Sequence, residues 1–544
     1  MKDNNKEMLR YYHRELEYLR QEGSAFAKKY PKIAERLDLS KSASYDPHVE
    51  RLVQSVAFMN ARIQRNIDDQ ASDVAIEILR RLYPALTRPF PSCVLAEFCW
   101  DHTSSDSVQI IKRGSVFDAQ TDGACRFTLG HDLVLSPCSI ADVNIKDDVL
   151  SIEIENPLDV VIERIRVYFA GDVVHKRKLF SWIFGSTLLS EEYVVEPIGF
   201  QEHIIEEDFG VLHEYLLFCD KFLGFDVGEL RPGRNIVRFG LKNMGEISID
   251  REDFLCNVGV MVNLFSMITD PVMVDFTEDD YLLLPDVHDQ DRYAIWEIEE
   301  LYDSSIAVSE QKNELLEQES IIPYFFDRTK KRSEVSYTMR LCAHRTFGHD
   351  VRIGIVRDAY DDLVERAYYA RVKCTNRGCA AVLPAGTPLQ SDLSLPVENI
   401  RLCDRPSKEI LPCGRGDVMW EMIFLLTNTS LFFKRGVLEN IKSICRILEG
   451  VSDGYIDHEF DDMIRFDCDF HQVRIDPQVW RGVISGYCVN IEFEHSMEHL
   501  LFTKVIAEFL RRCVEINHFV DVKVWDGDRV LKTWIGNYGM HRYV

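Results

Sequence analysis

From Leu9 onward the chain carries bulky apolar residues at alternating intervals of three and four: Leu9, Tyr12, Leu16, Leu19, then Gly23, Phe26, Tyr30, Ile33 and Leu37. That spacing lays the side chains along one stripe of an α-helix, a heptad seam interrupted only by Gly23. Pro31 must break or kink it near Tyr30, because proline lacks an amide and crowds the preceding turn. A second helix is predicted at Asp46-Pro47-His48-Val49-Glu50-Arg51. Asp46 can cap the free amides, and Pro47 takes the first helical position, where its missing N–H costs nothing. Val49, Leu52, Val56, Met59 and Ile63 continue the seam, and a third helical stretch runs from Val74 to Tyr83. Two structures satisfy such seams: a helical hairpin that buries its own apolar faces, or a coiled-coil-like bundle completed by another chain. A seam this long, with only three helices before the pattern changes, favours the second.

After Pro84 the period shortens. Pro84, Pro89 and Pro91 punctuate a linker that also holds Arg88 and Phe90. Beyond it come short alternating or apolar runs bounded by turns: Ser92–Trp100, Val108–Ile111 before Arg113-Gly114-Ser115, Leu150–Glu155, and Val160–Ala170 ending at Gly171-Asp172. These predict strands of sandwich-like or barrel-like β-structure. Residues 173–190 read as helix. Residues 194–275 read as strands with turns at Arg231-Pro232-Gly233 and Met244-Gly245. The stretch Thr277–Glu334 is acidic, with Ser304–Ser320 polar enough for a loop. Strands resume at Ser336–Met339 and Arg366–Cys374, helices at Val418–Glu449 and His499–Asn517, and Val520–Trp534 reads as a terminal hairpin turning at Asp526-Gly527. The expected fold is multidomain α+β: an N-terminal helical assembly segment (1–91), β-rich sandwich or barrel-like domains (92–276), an acidic loop or linker region (277–335), and a mixed α/β C-terminal region (336–544).

Composition narrows the function classes. The 544 residues carry 63 Lys/Arg against 89 Asp/Glu, a net charge of −26. Such acidity argues against nucleic acid, which is met by a basic footprint, and against anionic lipid. The charge is uneven. Residues 1–90 hold 16 Lys/Arg and 13 Asp/Glu, a balance of +3, which leaves −29 on the rest. A near-neutral helical element on an acidic body suggests a piece that packs into a partner or against other acidic surfaces. No apolar stretch is long enough for a bilayer span, and Met1-Lys2-Asp3-Asn4-Asn5-Lys6 lacks the apolar core of a secretory signal. Fifteen scattered cysteines suit reduced cytosolic thiols.

The sharpest catalytic-looking motif is His495-Ser496-Met497-Glu498-His499, a match to the H-x-x-E-H of inverted zinc peptidases. On a helix, His495 and His499 could share a metal with Glu498 as general base, but no third ligand is compelled, and the motif sits at a strand-to-helix junction. Cys374 and Cys379 lack the second pair of a structural zinc site and read as a strand end with a tight turn. Asn428-Thr429-Ser430 is a sequon that a cytosolic chain never exposes to glycosylation. The acidic residues Glu278–Asp280, Asp286, Asp289 and Asp291 lack the glycine and terminal glutamate of a calcium loop. No active site, metal site or cofactor site emerges from the residues.

The non-catalytic motifs are informative together. Tyr11-Tyr12-His13-Arg14-Glu15-Leu16-Glu17-Tyr18-Leu19-Arg20, Phe26-Ala27-Lys28-Lys29-Tyr30-Pro31-Lys32-Ile33-Ala34 and Asp46-Pro47-His48-Val49-Glu50-Arg51-Leu52 resemble the opening of the TssF (VasA/ImpG) family of type VI secretion baseplate proteins. The resemblance continues at Leu82-Tyr83-Pro84 with Arg88-Pro89, at Leu212-His213-Glu214-Tyr215 with Lys221-Phe222-Leu223-Gly224-Phe225, and at Val262-Asn263-Leu264-Phe265 with Asp270-Pro271. It recurs at Cys374-Thr375-Asn376-Arg377 and Glu515-Ile516-Asn517-His518-Phe519. Each block is short, but they keep their order from residue 11 to about 520. Glu494–His499 stands where the family is glycine-rich, and Lys532-Thr533-Trp534-Ile535 replaces its proline-containing tryptophan motif.

What the resemblance implies is a structural subunit and not an enzyme. Family members form a two-to-one wedge with the smaller TssG, so the partners implied are TssG and a second copy of TssF. Wedges join TssK and the sheath-initiating TssE around a spike hub, in the cytoplasm, at a baseplate docked to the inner-membrane complex. The N-terminal segment of such wedges helps form an intertwined core bundle. This gives contact roles to Tyr12, Leu16, Leu19, Phe26, Val49, Leu52, Val56 and Met59. The alternatives are a zinc hydrolase built on His495, Glu498 and His499, or a binding module of another complex.

Overall fold

The computed structural model describes residues 2–36, 47–101, 107–119, 125–190, 192–204, 210–240, 249–304, 321–323, 335–344, 347–357, 365–412, 416–427, 433, 436–449, 459–474, 483–514 and 518–535. The chain divides into two compact units. One comprises Met1–Thr87 and Cys413–Thr427; the other comprises Arg88–Pro412 and Asn428–Val544.

The first unit is helical. Helix α1 spans Lys2–Lys29, α2 spans Pro31–Arg36 and α3 spans Pro47–Leu82. Tyr30 lies between the first two, so Pro31 does break the seam, and it then takes the first position of α2, where it is tolerated. The two helices expected over 47–63 and 74–83 are one continuous helix of 36 residues. No proline or glycine interrupts 48–82, so nothing local stops the helix before Pro84. Helix Gly416–Thr427 returns from the far part of the chain to pack on α3.

The second unit is built from sheets. Six strands close into a barrel: Cys93–Trp100, Val258–Val262, Arg126–Leu129, Val116–Ala119, Pro388–Gln390 and Val397–Leu402, each bonded to the next and the last back to the first. Alternation fills its interior with Val94, Ala96, Phe98, Phe117, Phe127, Leu129, Met261, Ile400 and Leu402. Glu97 stands opposite Arg401 on the outside and pairs with it at 2.7 Å.

Two four-stranded sheets follow. One centres on Ile162–Phe169 and Gly224–Leu230, the other on Val149–Asn156 and Gly233–Gly240. The hairpin Ser139–Lys146 to Val149–Asn156 turns through Asp147 and Asp148, both left-handed (φ 51° and 59°), as a tight two-residue turn of this hand requires. Two more sheets, around Arg366–Thr375 and His349–Arg357, share a core of Phe265, Val274, Leu283, Leu301, Ile353, Tyr368 and Val372. The C-terminal module is a four-stranded sheet, Met463–Arg474, Val483–Phe493, His518–Asp526 and Arg529–Trp534. Its two central strands are parallel and joined through helix Leu500–Cys513.

The helices expected over 418–449 and 499–517 are present as Gly416–Thr427, Val437–Glu449 and Leu500–Cys513. Differences cluster where apolar runs lack a clear period. Gly210–Leu217, read as strand, is a helix buried on nearly every side, and such a run does not distinguish the two structures. The region 277–335, read as loop or linker, holds the strands Tyr281–Leu283 and Ala294–Asp303; the latter pairs along Arg366–Thr375. The turn expected at Met244-Gly245, the loop residues 305–320 and the sequon at Asn428 lie outside the described residues.

Candidate assembly interface

In the helical unit the inward stripe of α3 runs through half-buried Val53 and the fully buried Ala57, Ala61, Ala75 and Leu79. The alanines let neighbouring helices approach closely, so the packed stripe is chosen by small size more than by hydrophobicity. The seam expected from bulk is displaced by one residue, about 100° around the helix. Leu52 is 65% exposed, Met59 63%, Ile63 54% and Val56 45%. On α1, Leu16 is buried at 8%, Tyr12 and Leu19 are half-buried, and Phe26 is exposed against Tyr30, with ring centroids 5.2 Å apart. The ion pair Arg20–Glu50 (2.5 Å) ties α1 to α3. The side chain of Val49 lies outside the described residues.

Of the eight expected contact residues, the seven whose side chains are described divide. Leu16 belongs to the packing of its own unit, Tyr12 and Leu19 lie at its margin, and Phe26, Leu52, Val56 and Met59 face outward. Leu9 on α1, Ile33 on α2 and Phe58 and Ile63 on α3 are also exposed, as are Trp420 and Phe424 on Gly416–Thr427. The last two were missed because in that segment, Gly-Asp-Val-Met-Trp-Glu-Met-Ile-Phe-Leu-Leu-Thr, bulky apolar residues also stand beside Glu421 on the outward face, so hydropathy does not separate the two sides. Burying each such large side chain would contribute on the order of 1 kcal/mol or more, which is why exposed apolar patches are characteristic of contact surfaces.

The candidate zinc residues do not form a ligand set. Residues 494–499 are a turn, so His495 and His499 are not one turn apart on a helix, and helix Leu500–Cys513 starts after His499. The His499 ring stacks on Phe493 (4.4 Å, 15°); its Nδ1 lies 2.7 Å from Glu459 Oε2 and its Nε2 3.4 Å from Asp462 Oδ2. Buried Glu459 also takes Arg177 at 2.6 Å and the Tyr215 hydroxyl at 3.1 Å. Burial pushes the Glu459 carboxyl up, but the hydrogen bonds and charges of His499 and Arg177 outweigh it and hold it below the usual carboxylate range. His499 thus docks the C-terminal module onto the helices Val173–Gly185 and Gly210–Leu217. Among the described residues no group of three or more His, Cys, Asp or Glu is arranged to hold a metal ion. Cys374 is buried at a strand end, where burial pushes its thiol up to about 12, while Cys379 is exposed in the short helix Arg377–Val382. Glu278 and Asp280 are occupied by Arg352, at 3.1 and 2.5 Å.

The other family-like blocks are buried polar networks that join elements of the second unit. Asn376 Oδ1 accepts from the Arg126 amide (2.9 Å) and from Asn263 Nδ2 (2.7 Å), while the Asn376 amide donates to Asn263 Oδ1 (2.8 Å). Those bonds lock the barrel to the sheet around Arg366–Thr375. Arg377, in a left-handed conformation at φ 50°, reaches Asp350 at 2.7 Å. The Lys221 ammonium donates to Glu214, whose other oxygen accepts from the Ile204 amide at 2.7 Å. His213 is buried against Phe90, and burial lowers it to about 4. Arg166 clamps Asp226 (2.9 Å) and Glu202 (2.7 Å). Buried charges paired in this way specify the arrangement of the elements that carry them.

Comparison with known proteins agrees with an architectural reading. The family model for the type VI secretion system protein TssF matches residues 4–540. The curated type VI secretion system component TssF1 of Pseudomonas aeruginosa is 32% identical over 146 residues, so the alignment spans 26% of this chain and 24% of that relative. Among solved structures, a chain of a TssK-TssF-TssG baseplate subcomplex seen by cryo-electron microscopy superposes with a TM-score of 0.68 at 16% identity, covering 91% of this chain and 99% of that one. A chain of a type VI secretion baseplate complex gives 0.56 at 18% identity, covering 95% and 96%. At such identities these two likenesses establish the fold.

Proposed function

The chain belongs to the TssF family of type VI secretion systems, and on that premise we propose that it is a structural wedge component of the secretion baseplate, working by assembly and not by catalysis. In this reading it joins a second copy of itself and one TssG in a two-to-one wedge. TssK and the sheath-initiating TssE then join wedges to one another around the spike hub. The N-terminal assembly segment, extended by helix Gly416–Thr427, meets the partners, and the β-rich domains and the C-terminal region form the body. The site is cytoplasmic, at a baseplate docked to the inner-membrane complex. Among the described residues no helix is long and apolar enough to cross a membrane.

One observation carries the reading: in a TssF-family chain, the α3 stripe Leu52, Val56, Met59 and Ile63 is apolar and outward-facing. Its displacement from the packed stripe means that it can be altered without touching the core of the helical unit. The decisive experiment co-expresses the full chain with TssG of the same secretion cluster. The wild type is expected to yield a complex of fixed stoichiometry. Leu52→Asp with Met59→Asp is expected to lower recovery of that complex at least tenfold while the circular dichroism of the chain stays unchanged. Full recovery with the double variant would refute the assignment. Leu16→Asp is a poorer probe, because Leu16 is buried within its own unit.

A further inference from the structure

Two sheets of the second unit come together at their edges. Val272–Val274 is an edge strand of the sheet around Arg366–Thr375, and Tyr281–Leu283 is an edge strand of the sheet around His349–Arg357. Residues 275–280 run directly from one to the other, with Phe276 left-handed at φ 59°. Beyond the two strands the chain is drawn together again: the Asp270 amide donates to Leu284 O at 3.2 Å and the Val287 amide to Asp270 Oδ2 at 2.7 Å. In between, each strand follows its own sheet, Val272–Val274 along Arg366–Tyr368 and Tyr281–Leu283 along Val351–Ile353. They are not paired with each other, and a groove of about 390 Å³ is left there, open to solvent.

The groove has an apolar part and a charged part. Val274 and Leu283 are buried in the core that the two sheets share, which fixes the strands on either side. Met273, 52% exposed, and the half-buried Leu282 give the groove apolar walls. Asp275, Glu278 and Glu365 bring carboxylates to it. Among the described lining residues the cation is Arg352, and it is already engaged, donating to Asp280 at 2.5 Å and to Glu278 at 3.1 Å. Asp275 is a fixed charge. Its Oδ1 accepts from the Tyr281 hydroxyl (2.6 Å), the Thr277 hydroxyl (2.8 Å) and the Thr277 amide (3.1 Å), and these bonds lower its carboxyl to about 2.

Charge and shape together select the occupant. An arginine side chain is apolar along its stem and charged at its tip, and its planar guanidinium pairs with carboxylates in parallel bonds. An acidic segment would be repelled, and a purely apolar one would cover the carboxylates without compensating them. The edge strands at the groove add backbone groups to which an extended chain can bond. We propose that the groove is a docking site for a short extended segment of a partner protein that carries an arginine, its stem on Met273 and Leu282 and its guanidinium at Asp275 and Glu365. The groove belongs to the second unit and shares no residue with the helical contact proposed above, so either stands without the other.

Fluorescence anisotropy on the full chain tests this with a labelled heptapeptide that carries arginine at its centre between two valines, and with the same peptide carrying glutamine there. The wild type is expected to bind the arginine peptide saturably with a Kd at or below about 1 mM, and the glutamine peptide about tenfold more weakly. Asp275→Asn, whose amide oxygen still accepts from Tyr281 and Thr277, should weaken the arginine peptide about fivefold, and Met273→Ala about threefold. Glu398→Gln, which removes an exposed charge from a barrel strand instead, should leave binding unchanged. If Asp275→Asn alters the circular dichroism, Glu365→Gln, at an exposed position outside both edge strands, reads the same attraction at an expected loss of about threefold. Absence of saturation by that concentration, or equal binding of the two peptides, overturns the proposal. So does a loss with Asp275→Asn, or with Glu365→Gln in its place, no larger than with Glu398→Gln.

Discussion

Glu409 offers a test of how charge is housed in the body. Glu409 is 5% exposed and, among the described residues, its carboxylate accepts from the Thr375 hydroxyl; burial pushes it from 4.5 to about 7, against the weaker pulls of that hydrogen bond and of Arg377. Between pH 4.5 and 7 the folded chain therefore holds a proton at this site that the unfolded chain has released. Stability falls as pH rises through that window and is level above it. At about 1.4 kcal/mol per unit, two and a half units set an upper bound of roughly 3 kcal/mol lost by pH 7.5. Glu409→Gln mimics the protonated form and its amide oxygen still accepts from Thr375. Losing the attraction of Arg377 takes back part of the gain, so the variant is expected to be ~1–3 kcal/mol more stable than wild type at pH 8. The difference should shrink toward zero near pH 4.5. Urea unfolding of both proteins at half-unit steps from pH 4.5 to 8 reads this directly, following tryptophan fluorescence of the body. A difference that is flat with pH, or a variant less stable at pH 8, would show that Glu409 is ionised at ordinary cost and that the burial argument is wrong.

Two further predictions concern backbone geometry. A Cβ at Gly224 would sit 2.3 Å from the Val167 carbonyl and 2.7 Å from Ile198 Cδ1, and backbone on one side cannot yield. Gly224→Ala should therefore lower stability by about 3 kcal/mol or more, seen as loss of soluble protein or a lower melting temperature; wild-type stability would contradict the close approach of these strands. Asp148 holds φ 59° in the two-residue hairpin after Lys146. Asp148→Gly should raise stability by ~0.5–1 kcal/mol, because glycine takes this conformation freely, and a fall on denaturant titration would mean that the aspartate makes an interaction worth more than the strain.

Much of the local structure was legible in the sequence because it is set by nearest neighbours. Pro31 ends α1 whatever surrounds it, and the short apolar run from Cys93 to Trp100, set off by prolines, makes a buried strand. Asp526-Gly527 turns a hairpin whose two strands, His518–Asp526 and Arg529–Trp534, both stand where the pattern put them. The identity of the family was legible too, since its short blocks kept their order. What those blocks do was not. Asn263 and Asn376 are 113 residues apart and meaningless singly, and only the fold makes them one hydrogen-bonded pair. Likewise the H-x-x-E-H spacing implied a helix, whereas folding put His499 after a turn and gave its ring nitrogens to Glu459 and Asp462.

The apolar seam shows the division most clearly. Its existence, its period and its near-neutral setting on an acidic chain were fixed by the order of residues. Which stripe of α3 would be packed and which left outward was decided by the tertiary structure. Hydropathy ranks Leu52 and Met59 above Ala57 and Ala61, but helices pack by how closely their backbones can approach, and the alanines allow the closer contact. The bulky residues were turned outward for that reason, and with them the surface by which the chain is proposed to assemble.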